Sequence, residues 1–419
     1  MKVTYFQQVP YRYLPSDFED RYESVVTTPY FELTEPSKVA EAFRDALDEC
    51  MVAARSGFDG ITITEHSQSV YDMAPNPDLL QSALAYATEA EGIEVAIYPV
   101  GRSLGKSREP LRVAEEQAML DCMSSGRLVC GFPVGLAYDA NVNNGVPPAQ
   151  TRERFDENLE LVLRAWTEPD PFPFNGKFTK ANHVNLWPRP IQAPHPPIWI
   201  TGIGNPKTME FCLSRNYGFN YFGWFGAKDT APRILDRFGA VANSLGKTFN
   251  PYQIGFMQMI AVAETDAEAE ELYAEHVEFF FRKALGSIPL HRLMLPGGID
   301  IRGVEALIRD PSDFGMYTRM RTATFRELVD AGCVICGSHE TVRDQLIELA
   351  TTLGIGNLHA MLQFGSMPNN LARYNIELFA RKVLPDLTPI FEGEFDHHWW
   401  PERLGGKPLP ASVREGEFA

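Results

Sequence analysis

The chain has no run of 18 or more apolar residues among its 419, so no membrane-spanning helix is expected. Its first residues, Met1-Lys2-Val3-Thr4-Tyr5-Phe6, lead straight into a strand-like pattern. They lack the charged head, long apolar run and small-residue cleavage site of a signal peptide. Basic tracts are missing as well. With 38 Lys and Arg against 55 Asp and Glu, the formal net charge is −17. Such a surface repels nucleic acid and anionic membranes, and neither is expected as a partner. No GxGxxG follows a strand and no GxxxxGK[ST] is present, so the chain is expected to lack a nicotinamide site of its own. Cysteine is sparse: Cys50, Cys122, Cys130, Cys212, Cys333 and Cys336 are dispersed. That pattern suits reduced thiols and a cytoplasmic location. Cys333-Val-Ile-Cys336 has CxxC spacing without a second pair, and it reads as a buried strand rather than a zinc or redox site.

What the chain does have is 44% hydrophobic residues, enough for a large core, and 22% charged residues, close to the globular average. Short β-branched apolar runs alternate with longer amphipathic stretches, the pattern of βα units on a parallel sheet. The expected strands are Val3–Phe6, Ile61–Glu65, Glu94–Val100, Leu128–Phe132, Ile198–Gly202, Phe219–Phe225, Ile254–Ala263 and Asn357–Phe364. Helical spacing is read over Glu41–Ser56, Pro110–Ser124, Thr151–Trp166 and Glu340–Leu353. About eight units predict one (β/α)₈ TIM barrel over 1–387, with every strand's C-terminal end on one face. Insertions near 10–35, 167–197 and 285–324, the last with Pro-Gly-Gly at 296–298, are candidate loops over that face. Residues 388–419 read as a C-terminal arm packed on the barrel or on a partner subunit.

Three segments carry candidate chemistry. In Gly57-Phe-Asp-Gly-Ile-Thr-Ile-Thr-Glu65-His66-Ser67 a strand ends in an acid and a histidine, where a barrel keeps its site. In Trp199-Ile-Thr-Gly-Ile-Gly204-Asn205-Pro206-Lys207-Thr208 a strand turns into a helix start. Free N–H groups, a Lys and a hydroxyl there suit a phosphate, although an ordinary βα turn is an equal reading from these residues alone. In Ser125-Gly-Arg-Leu-Val-Cys-Gly131-Phe-Pro133-Val134-Gly135 the glycines let backbone approach a planar ligand, or simply pack a tight strand. Phe222, Trp224 and Phe225 could wall a ligand or fill the barrel. Asp396-His-His-Trp-Trp400 reads as packing rather than a metal site, because adjacent histidines hold one ion poorly.

Taken together, these segments resemble the bacterial luciferase-like flavin monooxygenases, from Met1 to about Leu387. Further marks are Pro110-Leu-Arg-Val-Ala-Glu-Glu-Gln-Ala-Met-Leu-Asp121, Arg152–Trp166, Phe174-Asn-Gly-Lys-Phe178, Pro188-Arg-Pro-Ile-Gln192, His195-Pro-Pro-Ile-Trp199, Gly337-Ser338 and Gly365-Ser-Met-Pro368. The resemblance implies a (β/α)₈ barrel, usually dimeric, that oxygenates a small organic substrate with O₂ and reduced FMN from a separate NAD(P)H:flavin reductase. It places His66 beside the flavin's reactive carbon as a catalytic residue, with Glu65 helping to orient it. Gly204, Asn205, Lys207 and Thr208 would hold the phosphate, Gly101 and Arg102 would lie under the ring, and Pro133 and Val134 would line the pocket. The chain departs from the family at Ser67, where a second histidine is common, and at Arg102, where Asn is common. It departs from luciferases at Pro133 and Val134, where they carry Cys-Arg, and these departures argue against light emission. The alternatives are hydride transfer with coenzyme F420 on the same barrel, which a second basic patch near the mouth would favour, and a flavin-binding subunit without catalysis.

Overall fold

The structure is a computed structural model that describes residues 1–284 and 321–408, together with Leu295 and Arg319. In chain order its strands are β1 (Lys2–Gln7), β2 (Gly60–Ile63), β3 (Ala96–Pro99), β4 (Cys130–Gly131), β5 (Phe172–Asn175), β6 (Lys180–Val184), β7 (Ile198–Thr201), β8 (Gly218–Phe222), β9 (Ile254–Ala263), β10 (Val334–Ser338) and β11 (Asn357–Met361). The order β3-β2-β1-β11-β9-β8-β7-β4 is parallel throughout. Bridges from Ile97 to Leu128 and from Val100 to Gly131 join β4 back to β3, so eight strands close into a barrel. All eight expected strands form, most of them shorter than their apolar runs. The CxxC segment forms β10, a ninth strand laid on the second half of β9 while β11 pairs with its first half. β9 is buried at all ten positions, as a run that is apolar but for Gln258 leads one to expect, and the Gln258 amide donates to the Met259, Gly332 and Cys333 carbonyls.

Proline and positive-φ residues punctuate the helices. Pro36, Pro77, Pro110 and Pro206 each open one, where a missing N–H costs nothing. Gly92, Asn216 and Gly354 close three in the left-handed conformation. The helix expected around Pro110–Ser124 runs over Pro110–Met123 and buries Val113 and Leu120, but Met119 is exposed. No helix among the described residues is long and apolar enough to cross a membrane.

Inside the barrel a polar chain crosses the strands. Thr4 Oγ1 lies 2.7 Å from His359 Nδ1, His359 Nε2 lies 3.0 Å from Asn220 Oδ1, and Asn220 donates to Tyr98 OH at 2.6 Å. Burial holds His359 neutral, with its pKa pushed down to about 3.

The C-terminal arm plugs the N-terminal end of the barrel. Trp399 O accepts from Trp199 Nε1 at 2.9 Å, Trp399 Nε1 donates to Asn216 O at 2.8 Å, and His397 Nε2 lies 2.8 Å from Asn357 Oδ1 at the start of β11. The Met1 ammonium bonds Thr388 O at 2.7 Å and also Ile390 O. Among the described residues no group of three or more His, Cys, Asp or Glu is placed to hold a metal ion; His397 stacks on Tyr252 at 4.5 Å, and His398 Nδ1 lies 3.2 Å from Lys407 O.

The insertions differ in place. Residues 10–35 leave the C-terminal end of β1 and stand over the mouth. Residues 167–197 join a helix end to the start of β7, which is a connection on the opposite face. They fold as the β5–β6 hairpin, whose tip climbs the outside of the helix Thr151–Thr167: Lys177, Phe178 and Thr179 N–H groups bond the Glu157 carboxylate. Most of 285–324, with the Pro-Gly-Gly, lies outside the described residues.

Candidate active site

His66 stands three residues past Ile63, the end of β2, on the loop that follows. Its Nδ1 is 2.8 Å from Asp139 Oδ2 and 2.7 Å from Tyr138 OH, and its side chain is 14% exposed. Nε2 has no hydrogen-bond partner among the described residues. The loop is fixed from below by buried Asp72, which accepts from Thr64 Oγ1 at 2.6 Å and from the N–H groups of Val9 and Ala74. Burial raises the Asp72 carboxyl to about 6, against the opposing charge of His66 and these hydrogen bonds.

Asp139 sits on a π-helical turn, Tyr138–Asn143, in the loop after β4. Burial pushes its carboxyl up, but the His66 hydrogen bond and charge, the Lys106 ammonium and the Ser67 N–H outweigh this and hold it below the usual range. Ser67 N donates to Asp139 Oδ1 at 2.8 Å, and Lys106 Nζ lies 3.8 Å from the same oxygen. Lys106 is 8% exposed and pairs with Glu65 Oε1 at 2.7 Å.

Glu65 does not orient His66. Its carboxylate faces Lys106, the Ser103 N–H at 3.1 Å and Arg102 Nε at 3.4 Å. Neighbours at a strand end point to opposite sides, so Glu65 and His66 diverge, and the acid on His66 comes from another loop. Arg102 is spoken for by carboxylates: its guanidinium also pairs with Glu116 at 2.8 Å and with Asp78, and it bonds Asn76 Oδ1 at 3.1 Å. Burial alone would lower the Arg102 pKa, and these carboxylates raise it instead. Gly101 lies under the end of β4, where a side chain would strike the Gly131 carbonyl and Pro133 Cδ. Pro133 and Val134 are half-buried on the same rim, and Val134 O accepts from Ser103 Oγ at 3.1 Å.

On the neighbouring arc, the turn after β7 is built as its sequence suggests. Asn205 caps the helix Pro206–Arg215 by accepting from Lys207 N at 2.9 Å, and Gly204 takes a φ of +99° against Ile234. Lys207 is exposed and Thr208 is buried. A residue not foreseen joins them. Arg152 NH2 donates to Thr208 Oγ1 at 3.1 Å, while Arg152 NH1 is buried and has no hydrogen-bond partner among the described residues. A buried guanidinium nitrogen without a partner, next to a helix start and a hydroxyl, fits a phosphate dianion. Arg152 was visible only as the start of a family mark, and nothing in its sequence context singled it out.

Two further features frame the mouth. Phe6, Phe222, Trp224 and Phe280 form one aromatic wall, with Phe6 and Phe222 centroids 5.3 Å apart and Trp224 stacked on Phe280 at 5.1 Å; the Phe225 side chain lies outside the described residues. A cavity of about 310 Å³ opens at the rim between the β3 and β4 loops, lined by Arg108, Arg154, Phe178 and Gly145–Pro147. Arg108 donates to Asn144 O at 3.0 Å, and Arg154 bonds Gln150 and lies 4.4 Å over the Phe178 ring. Neither arginine pairs with a carboxylate among the described residues.

The fold is thus a parallel barrel whose C-terminal face carries a carboxylate-bound histidine and an Asn-capped helix start. The family model for luciferase-like monooxygenases matches residues 23–355. The chain therefore belongs to the luciferase-like monooxygenase family, a family of oxidoreductases. Among its relatives, 2,5-diketocamphane 1,2-monooxygenase 2 of Pseudomonas putida is 25% identical over 391 residues, covering 86% of this chain and 97% of the relative. The same barrel recurs in the oxygenating constituent of Pseudomonas putida 3,6-diketocamphane monooxygenase in complex with FMN (TM-score 0.69, 20% identity, 92% of this chain and 98% of the other). An F420-dependent secondary alcohol dehydrogenase shares it too (TM-score 0.64, 17% identity, 92% and 98%).

Proposed function

We propose that the chain is a monooxygenase that uses reduced FMN and O₂ to oxygenate a small organic substrate, works as a homodimer, and takes its electrons from a separate NAD(P)H:flavin reductase. The observation that carries this reading is the His66–Asp139 pair, with Nε2 unengaged, at the same end of the barrel as the Gly204–Thr208 turn. When bound, reduced FMN supplies the electrons and the oxygen chemistry. The turn's N–H groups, Lys207, Thr208 and Arg152 would bind the phosphate, and Gly101, Pro133 and Val134 would line the ring site. Asp139 fixes the His66 ring through Nδ1, so that Nε2 faces the mouth as the atom that would hold or hand over a proton. Lys106, shared between Glu65 and Asp139, holds both carboxylates in place. The FMN-complexed relative supports the cofactor, and its description as an oxygenating constituent supports a partner reductase.

The purified protein, titrated with reduced FMN, oxidised FMN and F420 and then exposed to oxygen, tests the reading. Preferential binding of reduced FMN and release of hydrogen peroxide are expected. Binding of F420 alone would overturn it. F420-dependent hydride transfer is the second reading, and one observation favours it: the Arg108–Arg154 cavity is a second basic patch near the mouth, of the kind an acidic cofactor tail would use. Retention of both His66 and the anion turn weighs against a flavin-binding subunit without catalysis.

A further inference from the structure

Parallel pairing of β1 with β11 sets Thr4 beside His359 and Tyr5 beside Ala360. Extended three residues beyond the last paired positions, toward the mouth, the same register would bring Gln8 level with Gln363. Side chains alternate along each strand. Thr4 and His359 meet inside the barrel, so Gln8 and Gln363, each four residues further on, face inward as well. Phe6 and Met361, between them on the same side, belong to one buried cluster. Both glutamines are buried: Gln363 is 0% exposed and Gln8 2%. Among the described residues, Gln363 has no hydrogen-bond partner at either Oε1 or Nε2, and Gln8 has none at Oε1.

Buried amides left unbonded side by side are costly, and native proteins rarely keep them without a use. Each amide offers one acceptor and two donors, and neither carries charge. The ligand group that satisfies them is therefore neutral and presents a donor and an acceptor along one edge, as in an amide or lactam. The pair lies on the β1–β11 arc, next to the strand that leads to His66 and across the ring from β4 and β7, where the flavin contacts are read. The Phe6–Phe222–Trp224 wall beside it suits an apolar body. We propose that Gln8 and Gln363 form the recognition site for a neutral amide-like edge of the substrate. This rests on the reading of the mouth as the reaction site.

Two probes test it by ligand-observed NMR on the FMN-loaded protein, or on the unliganded chain if FMN does not load. δ-Valerolactam carries N–H and C=O on one edge, and its N-methyl derivative lacks the N–H. The wild type should prefer the unmethylated lactam by at least about fivefold. Gln363→Leu should abolish that preference and weaken the lactam by about tenfold. It should leave the Kd for FMN within about twofold, and it should raise the melting temperature of the unliganded protein by removing two unsatisfied buried atoms. Gln8→Leu provides the same readouts should Gln363→Leu fail to fold. A wild type without lactam preference overturns the proposal. So does weakened FMN with unchanged lactam binding, which would give the pair to the flavin edge. A lowered melting temperature with unchanged binding also overturns it, since the amides would then be held by buried water. Loss of FMN binding with the lactam preference intact would sink the FMN reading and leave this one standing.

Discussion

The two ends of the barrel hold histidine in opposite circumstances. At the base and in the interior, His397 and His359 are buried, their ring nitrogens meet neutral side chains or backbone N–H, and burial drives both pKa values down, His359 to about 3. At the mouth, His66 has a carboxylate at 2.8 Å, a second nitrogen unengaged and some exposure. The residue type is the same. The partner and the access to solvent decide whether it packs or reacts, and the base is built to stay shut while the mouth is built around charge.

The sharpest way to break this contrast is to disable one end at a time. His66→Ala and Asp139→Asn should each cut product formation by about 10²–10⁴-fold and divert consumed oxygen to hydrogen peroxide, because a positioned acid–base group is worth that much. His66→Ala should leave the melting temperature nearly unchanged, whereas Asp139→Asn should lower it, since the ionised carboxylate is stabilised in the fold. Trp400→Ala should do the reverse, costing ~3–5 kcal/mol of stability in a denaturant titration while the Kd for FMN holds. Equal effects of the two kinds of variant on stability and product would erase the distinction.

A smaller effect separates the charged arc from the rest of the mouth. Lys207→Ala and Arg152→Ala should each weaken FMN by about tenfold or more, since a charge-assisted bond is worth ~1.5–3 kcal/mol. Riboflavin has the same ring without the phosphate and should hardly change. Equal losses for both would assign these residues to the fold or the ring site.

The buried interior predicts a pH dependence. His359 has its folded pKa near 3, well below the unfolded value of about 6.5, so the unfolded chain binds the extra proton first. Its contribution is complete above about pH 6.5 and is lost by ~1.4 kcal/mol per unit as pH falls toward 3. The stability difference between wild type and His359→Gln should shrink over that window. A difference that stays flat would mean that the ring is protonated in the folded state. The smallest effect concerns electron supply: the protein alone should oxidise NADH negligibly until a flavin reductase is added, and rapid consumption without one would refute a separate reductase.

The barrel was legible because a parallel strand buried on both faces reads as a nearly continuous apolar run, as 254–263 does with Gln258 as its one polar side chain. The helix starts were legible in their prolines. His66 and the Gly204–Thr208 turn were legible because their chemistry is local. Asp139 was not: it reaches His66 from 73 residues away on a π-helical turn that no periodicity marks, and the neighbouring Glu65 drew the orienting role that Asp139 performs. Arg152 was hidden for the same reason, since its meaning depends on Thr208, 56 residues later. The Trp-rich arm announced that it packs, but its place under the barrel follows from tertiary contacts alone.

The most direct test of the contrast is a double-mutant cycle on His66 and Asp139, read as the rate at which the protein loaded with reduced FMN releases hydrogen peroxide in oxygenated buffer without substrate. If the two side chains act as one unit, His66→Ala and Asp139→Asn each speed release by at least about tenfold, and the double variant matches the singles. Additive effects of the two changes, or a rate that neither change moves, would contradict the pairing on which the functional reading of the mouth depends.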